Sequence, residues 1–128
     1  MPPAEPVAPT LPKNFLRPCV LLLLREQPGH GYDLLERLRA LGFARSDPGR
    51  LYRTLRALEH ERLVRSAWEP STEGPDRRIY ELTRPGMEEL HAHAKALLET
   101  REALAHFLSR YTEFAALTPV REPARKRR

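Results

Sequence analysis

The stretch DPGRLYRTLRALEHERLV, residues 47–64, predicts a helix with one apolar side and one cationic side. Asp47 can accept hydrogen bonds from the free amides of the first turn, and Pro48 suits the first helical position. The leucines that share one side of the helical wheel are Leu51, Leu55 and Leu58. The residues of the opposite side and its flank are Gly49, Arg50, Arg53, Arg56 and His60. We call Arg50, Arg53 and Arg56 the arginine face.

The net charge of the chain does not by itself explain the arginine face. The formal charge is +5, but the last ten residues, PVREPARKRR, carry net +4. Residues 1–118 are therefore almost neutral, and a polyanionic partner has to be argued from local arrangement. We predict that residues 118–128 form a basic disordered tail, which fits a nonspecific DNA tether and a solubilising segment equally well.

Composition argues against several classes of protein. Cys19 is the only cysteine, which rules out an internal disulfide and a multi-cysteine zinc site. The longest apolar run, residues 19–24, is far shorter than the roughly 20 residues of a membrane span. The proline-rich start, residues 1–12, has no basic segment of the secretory type and is predicted to be a disordered arm. We therefore expect a cytoplasmic protein without a membrane segment.

The sequence contains no pattern typical of catalysis or of metal binding. His91 and His93 are two residues apart, so on a helix they point in nearly opposite directions. No nucleophile motif and no glycine-rich phosphate loop is present. We expect no enzyme activity, no catalytic residues, no metal and no cofactor.

The order of the predicted elements defines a fold class. Apolar residues at steps of three and four predict helices at about residues 14–27 and 30–41 before the helix described above, with Gly42 ending the second. Two β-type segments, residues 63–69 and 77–83, flank a loop that contains Gly74-Pro75 and predict a hairpin. We predict a mainly α protein with a small β-hairpin: a winged helix-turn-helix over residues 13–83, followed by a long C-terminal dimerisation helix over residues 84–117.

The last predicted helix, which Thr83 can cap, has an apolar stripe along its length. The residues of this stripe, at alternating steps of three and four, are Met87, Leu90, Ala94, Leu97, Leu104, Leu108, Tyr111 and Ala115. We predict that a second copy of the chain covers much of it, with dimer contacts at Leu90, Leu97, Leu104, Leu108 and Tyr111. The alternative is that the stripe packs along its own domain.

A winged helix-turn-helix gives the arginine face a partner, because a helix of this size fits the major groove of a double-stranded DNA operator. Arg50 and Arg53 are the candidates for base reading, and Gly49 allows close approach of the helix. Arg56 is expected to contact the DNA backbone. The alternative for all three arginines is an ordinary solvated surface.

The predicted hairpin loop extends the candidate DNA surface. Arg77 and Arg78 lie at its base and are expected to contact DNA, unless they only pair with Glu69 or Glu73 across the hairpin. Trp68, in the first strand, is expected to pack in the core or at a dimer interface. Cys19, within the apolar first helix, is expected to be buried and inert.

The chain resembles the PadR-type transcriptional regulators from about residue 11 to residue 117. The motifs that carry the resemblance are HGYDL (30–34), DPGRLYRTLRALE (47–59), LVRSAWE (63–69) and GPDRRIYELTRPGMEEL (74–90). The resemblance implies a homodimeric, ligand-responsive repressor on an inverted-repeat operator, with Tyr32 and Tyr52 hydrogen bonded to phosphates. Partial burial against neighbouring helices is the alternative for both tyrosines.

Within that family, LPKNF, HGYDL and DPGRLYR look most similar to members described as polyhydroxybutyrate-responsive repressors, which suggests a small-molecule or polymer effector. The chain departs from the family pattern at two positions. Arg53 stands where the family usually has proline, and Arg62 stands where it usually has glycine. Arginine at position 62 puts the tight turn there in doubt, because positive φ is costly for arginine.

A function of another class stays open on the sequence alone. Winged folds also serve as interaction modules, for example in proteins that coat polymer granules or bind a protein partner. The arginine face is the feature that favours DNA, since an adaptor has no need for three arginines on one side of a helix.

Overall fold

The computed structural model describes residues 6–43, 47–117 and 119–121. The elements in chain order are α1 (Leu16–Glu26), β1 (Gly29–His30), α2 (Gly31–Leu38), a 3₁₀ turn (Arg39–Leu41), α3 (Pro48–His60), β2 (Val64–Glu69), β3 (Arg77–Leu82) and α4 (Arg84–Phe114). Residues 6–12 and 119–121 have no helix or strand. The rest of the predicted arm and tail, residues 1–5, 118 and 122–128, lies outside the described residues.

Helix α1 is the centre of the apolar core. It begins two residues later than the sequence pattern predicts, after Asn14 at a φ of 60°. Pro18 lies in its first turn, where proline costs no hydrogen bond. The helix ends when Gln27 becomes extended, because the residue before Pro28 is disfavoured in helical geometry. The buried residues of the core are Leu16, Cys19, Val20, Leu21, Leu23, Leu24, Leu34, Leu38, Leu51, Leu55, Leu58, Leu63, Val64 and Tyr80.

The helix-turn-helix consists of α2 and α3, and its helix ends follow the sequence signals. Gly42 has a φ of 98° after the 3₁₀ turn, which confirms it as the helix-ending glycine. The amide of Gly42 donates to the Arg39 carbonyl at 3.2 Å, and the amide of Phe43 donates to the Leu38 carbonyl at 3.3 Å. This pair of bonds is a Schellman motif, which satisfies carbonyls that the helix leaves free.

The start of α3 is also as predicted. Asp47 Oδ1 accepts a hydrogen bond of 3.0 Å from the Arg50 amide, and Pro48 is the first helical residue. Leu51, Leu55 and Leu58 are buried with at most 1% of their surface exposed. The cap fixes where the helix begins, and the leucines fix which side of it faces outward.

The sheet has three strands in the order β1-β3-β2, all antiparallel to their neighbours. Strands β2 and β3 are the predicted hairpin, and we call residues 64–82 the wing. The third strand is an addition to the predicted elements, because in the sequence Pro28-Gly29 indicates a helix stop and His30 the start of the next helix. They form a two-residue strand in which Gly29 pairs with Tyr80 and His30 pairs with Ile79. The helix-turn-helix is thereby hydrogen bonded directly to the wing.

Helix α4 begins against the turn between α3 and β2. Thr83 Oγ1 accepts a hydrogen bond of 3.1 Å from the Gly86 amide and donates to the Leu63 carbonyl at 2.9 Å, so Thr83 is the predicted cap. The helix ends at Phe114, three residues before the predicted end. Among the described residues, no helix is long and apolar enough to cross a membrane.

The described residues divide into two compact units, with the boundary between His93 and Ala94. We call the first unit, up to His93, the head. Within the head, Arg17 of α1 bonds to Glu61 at 2.8 Å and to Glu89 of α4 at 2.9 Å. These bonds raise the pKa of Arg17 and lower the pKa of Glu61. Three separate parts of the head therefore meet at one guanidinium.

Candidate nucleic-acid interface

The arginine face lies on the exposed side of α3, opposite its buried leucines. Arg50, Arg53 and Arg56 are all exposed. Among the described residues, no carboxylate lies within 4.0 Å of any of the three guanidinium groups. Other arginines of the head, such as Arg17, are held by glutamates. The arginine face therefore presents uncompensated positive charge, which is what a polyanionic ligand requires.

Gly49 lies beneath one of these side chains. A Cβ added at Gly49 would come 3.3 Å from Nη1 of Arg53, so the guanidinium packs over the first turn of α3. On the same side of the helix, Thr54 Oγ1 donates a hydrogen bond of 3.0 Å to the Arg50 carbonyl. The hydroxyl proton of Thr54 is therefore already used within the helix. The capped first turn of α3 thus carries two arginines and a glycine at its surface.

The two candidate tyrosines differ in their surroundings. Tyr32 has 71% of its surface exposed, so the alternative of partial burial is wrong for this residue. Tyr52 is 40% exposed, and its ring lies against α2. A Cβ added at Gly31 would come 2.5 Å from Tyr52 Oη, which explains why a glycine stands at that position of α2. The hydroxyl of Tyr52 therefore lies where the two helices of the motif meet.

The two wing arginines also differ. Arg78 donates from Nε to Ser66 Oγ at 2.7 Å, and its Nη2 lies 3.3 Å from Glu59 Oε1. Its partner is thus a glutamate of α3, and the alternative pairing with Glu69 or Glu73 is wrong for Arg78. Arg77 is exposed, and no carboxylate of the described residues lies within 4.0 Å of its guanidinium. Among the residues that the structure describes, Arg77 therefore has no carboxylate partner, whereas the charge of Arg78 is partly neutralised by Glu59.

Trp68 is not a core residue, contrary to the expectation from its aromatic character. It is 66% exposed, and the Arg78 guanidinium lies 5.6 Å from its ring centroid. Trp68 and Arg78 are opposite each other in the strand register, on the sheet face that holds Tyr80 closer to the core. Towards the wing tip this sheet face extends beyond the apolar core. Trp68, which lies on that part of the face, is therefore exposed to solvent. A cation–π contact of this geometry orders the arginine side chain.

Sequence reasoning did not find Glu59 and Ser66, which hold Arg78. Ser66 Oγ lies 3.0 Å from Glu59 Oε1, so the three side chains form one cluster between α3 and the wing. Burial raises the pKa of Tyr80 beside this cluster. No local sequence pattern links residues 59, 66 and 78, since their contact depends on how the wing packs on α3.

Cys19 and the metal-ligating side chain types offer no second site among the described residues of the head. Cys19 is buried, and burial raises the pKa of its thiol to about 11, so the reactive thiolate is scarce at neutral pH. Within the described part of the chain, no group of three or more His, Cys, Asp or Glu side chains is placed to hold a metal ion.

The predicted dimer residues fall on both sides of the unit boundary. In the head, Leu90 packs partly against the core. In the second unit, Leu97 is half-buried, while Leu104, Leu108 and Tyr111 are 58%, 57% and 51% exposed. Phe107 and Phe114, which sequence analysis did not single out, are 67% and 65% exposed beside the stripe. The second unit therefore exposes more apolar surface than the predicted stripe alone.

A winged helix-turn-helix with a cationic outer helix face defines the class: a DNA-binding protein of the winged-helix type. The model of the transcriptional regulator PadR-like family matches residues 20–92, which span the helix-turn-helix, the wing and the start of α4. The chain belongs to this family. The family is one of DNA-binding transcriptional regulators and not of enzymes.

Solved structures agree with this assignment. A PadR-like transcription factor from Bacteroides fragilis is 30% identical, with a TM-score of 0.65 over 74% of this chain and 91% of that chain. A PadR-like transcriptional regulator from Bacillus cereus is 26% identical, with a TM-score of 0.67 over 75% of this chain and 93% of that chain. A PadR family regulator from Eggerthella lenta is 28% identical, with a TM-score of 0.65 over 73% of this chain and 80% of that chain. A comparison with curated proteins gave no match.

Proposed function

We propose that the chain is a homodimeric, cytoplasmic transcriptional repressor that binds an inverted-repeat operator with one α3 in each major groove. The observation that carries this proposal is the arginine face. Three exposed arginines lie on one side of a capped helix, and no described carboxylate pairs with them. An adaptor surface would not need that charge, whereas a DNA backbone neutralises it and guanine edges accept from it.

Individual roles follow from position and surroundings. Arg50 and Arg53, in the first half of α3, are the proposed base readers, because the N-terminal residues of a recognition helix reach base edges. Arg56, Tyr32 and Tyr52 are the proposed backbone contacts on the helix-turn-helix. In the wing, Arg77 supplies a free guanidinium, and Arg78 contacts DNA with its charge shared by Glu59.

The proposed dimer rests on the apolar surface of the second unit. Leu104, Leu108 and Tyr111 are more than half exposed in one chain, which favours cover by a second copy. Two recognition helices read adjacent groove faces only when their spacing matches about 34–36 Å. We propose that an effector tunes this spacing, and the polyhydroxybutyrate-responsive subtype stays a prediction.

The arginine face is tested by Arg53→Ala. The full chain is first used to select its preferred duplex from a random-sequence library, and binding is then measured by mobility shift. We expect Arg53→Ala to weaken binding of the selected duplex by about 1–3 kcal/mol and to relax preference at one base position. Arg110→Ala, which removes an exposed arginine of α4, is the matched control and should bind as the unmodified chain does.

Two outcomes would contradict this proposal. An equal loss of affinity on all sequences would make Arg53 a phosphate contact and not a base reader. If the unmodified chain enriches no duplex from the library, the proposed operator binding is wrong. That result would favour the alternative, an interaction module.

A further inference from the structure

His30 lies at the junction between the helix-turn-helix and the wing. It is the second residue of β1, pairs with Ile79 of β3, and immediately precedes α2. Two residues further along α2 is Tyr32, a proposed backbone contact, and the last residue of β2 is Glu69, where the wing loop begins. A side chain that bridges these segments sets the position of the wing base relative to α2.

Both ring nitrogens of His30 face carboxylates. Nδ1 lies 3.2 Å from Asp33 Oδ2, and Nε2 lies 3.3 Å from Glu69 Oε2. A neutral imidazole has one N–H, so its other nitrogen would turn a lone pair toward a negative oxygen. An imidazolium has two N–H groups and can donate to both carboxylates. The arrangement therefore fits the charged ring and works against the neutral ring.

The setting of Nε2 makes this contact sensitive to the protonation of the ring. The His30 side chain is four-fifths buried, and its Nε2 atom is out of contact with solvent. The Glu69 carboxylate is close to Nε2 but not aligned as a hydrogen-bond acceptor, so no hydrogen bond satisfies that atom. A small shift of Glu69 toward the ring completes the bond when Nε2 carries a proton. When Nε2 carries no proton, the same shift of Glu69 forms no hydrogen bond.

The other charged groups around His30 do not replace this bridge. Arg77 lines the same polar cleft of about 220 Å³, together with Glu69 and residues 70–72 of the wing loop. Arg77 and Glu69 are opposite each other in the strand register, but their charged groups are more than 4.0 Å apart. Arg37, one turn after Asp33, donates to the Leu23 and Gln27 carbonyls. Among the described residues, His30 is thus the basic side chain that faces both Asp33 and Glu69.

We propose that His30 is a positioning residue for DNA binding, acting as a protonation-dependent clamp between α2 and the wing base. In the charged form it draws Glu69 toward Asp33 and holds the wing, with Arg77, beside Tyr32. Loss of one ring proton leaves a single N–H, so the ring can donate to Asp33 or to Glu69 but not to both, and the bridge opens. The wing then has to be ordered by DNA alone. This inference rests on the proposed DNA-binding function, because the wing position matters only if the wing contacts DNA.

The test measures affinity for the library-selected duplex between pH 5.5 and 8.5 at constant ionic strength. The full chain should bind about two- to fivefold more tightly at the acidic end, the size expected of a partly exposed ion pair. The gain should be lost towards the alkaline end of this range, where an imidazole ring carries a single proton. His30→Gln and Glu69→Gln should each abolish most of this dependence, whereas His91→Gln, at an exposed histidine of α4, should leave it intact.

A second measurement does not depend on DNA. Nitrogen chemical shifts of the His30 ring at pH 6.5 report the fraction of rings that carry both protons, and Glu69→Gln should reduce that fraction. An unchanged fraction, or full retention of the pH dependence in His30→Gln, would overturn the clamp while leaving the operator-binding function standing. Absence of duplex binding by the unmodified chain at every pH would instead overturn the operator-binding function.

Discussion

Arg62 occupies a position that favours glycine, and the helix end nevertheless forms. Its φ is 64°, in the left-handed region. The Arg62 amide donates to the Glu59 carbonyl at 3.0 Å, and the Leu63 amide donates to the Leu58 carbonyl at 2.9 Å. This is the same Schellman motif that Gly42 completes at the earlier helix end. The sequence-based doubt about a tight turn here was wrong, because the buried pair Leu58 and Leu63 outweighs the strain at one exposed residue.

We expect Arg62→Gly to stabilise the protein by about 0.5–1 kcal/mol. Glycine removes the steric cost of the left-handed backbone, and its greater freedom in the unfolded chain offsets part of the gain. Arg62→Ala is the matched control, since it removes the same side chain but retains a Cβ at positive φ, and it should bring no such gain. Urea denaturation measures both changes. Equal stabilisation by glycine and alanine would show that the arginine side chain, and not the backbone, carries the cost.

For single residues, the sequence predicts which cationic side chains are exposed better than it predicts which side chains pair with them. The exposure of Arg50, Arg53 and Arg56 follows from helical periodicity, which needs only local information. The pairing of Arg78 with Glu59, and the exposure of Trp68, depend on contacts between residues ten or more positions apart. Aromatic character alone therefore placed Trp68 wrongly in the core, because it carries no information about where the sheet leaves the core. Its placement at a dimer interface stays a prediction.

Among the elements, α4 is fixed at its start by a close contact of Gly86. A Cβ added at Gly86 would come 2.0 Å from the Leu63 carbonyl oxygen and 2.6 Å from Leu82 Cδ1. The obstacle at Leu63 is backbone, which cannot move without disturbing the turn between α3 and β2. The glycine thus lets the first turn of α4 lie directly on that turn, and Thr83 hydrogen bonds both.

We therefore expect Gly86→Ala to destabilise the protein by about 1–3 kcal/mol, the range for overpacking at a filled site. Alanine is the better helix former, so helix propensity alone predicts the opposite sign. Gly74→Ala is the control, because a Cβ there meets nothing within 4 Å and the backbone φ is not positive. Denaturation midpoints compare the two variants. A Gly86→Ala protein as stable as the unmodified chain would show that α4 can shift away from Leu63.

The element that the sequence did not predict is β1. Two residues cannot show the alternation that indicates a strand, and Pro28-Gly29 reads locally as a stop signal. Gly29 and His30 become a strand only because β3 presents an unpaired edge to them. The predicted elements were those whose periodicity extends over many residues, namely the helices and the β2-β3 hairpin. The missing strand is also the one that brings His30 to Glu69.

At the scale of the whole molecule, the second unit carries an apolar surface that one chain leaves uncovered. Leu104 and Leu108 are one helical turn apart on the predicted stripe, and both are more than half exposed. Exposed apolar surface of this extent is costly in water and is typical of an interface. In one chain, residues 94–114 of α4 have no buried residue. Packing of the stripe along its own domain stays the alternative to cover by a second copy.

We expect Leu104→Glu combined with Leu108→Glu to convert the protein to a monomer in sedimentation. Two unpaired carboxylates would be placed in an apolar seam, where an isolated charge is strongly disfavoured. His106→Glu with Ser109→Glu adds the same two carboxylates on the exposed side of α4 away from the stripe and from Phe107 and Phe114, and this control should remain dimeric. Circular dichroism should show a folded head in both variants, because its core lies within residues 16–80. Affinity for the selected duplex should fall in the seam variant alone, since one head contacts one half-site. A seam variant that sediments as a dimer and binds DNA normally would place the interface elsewhere.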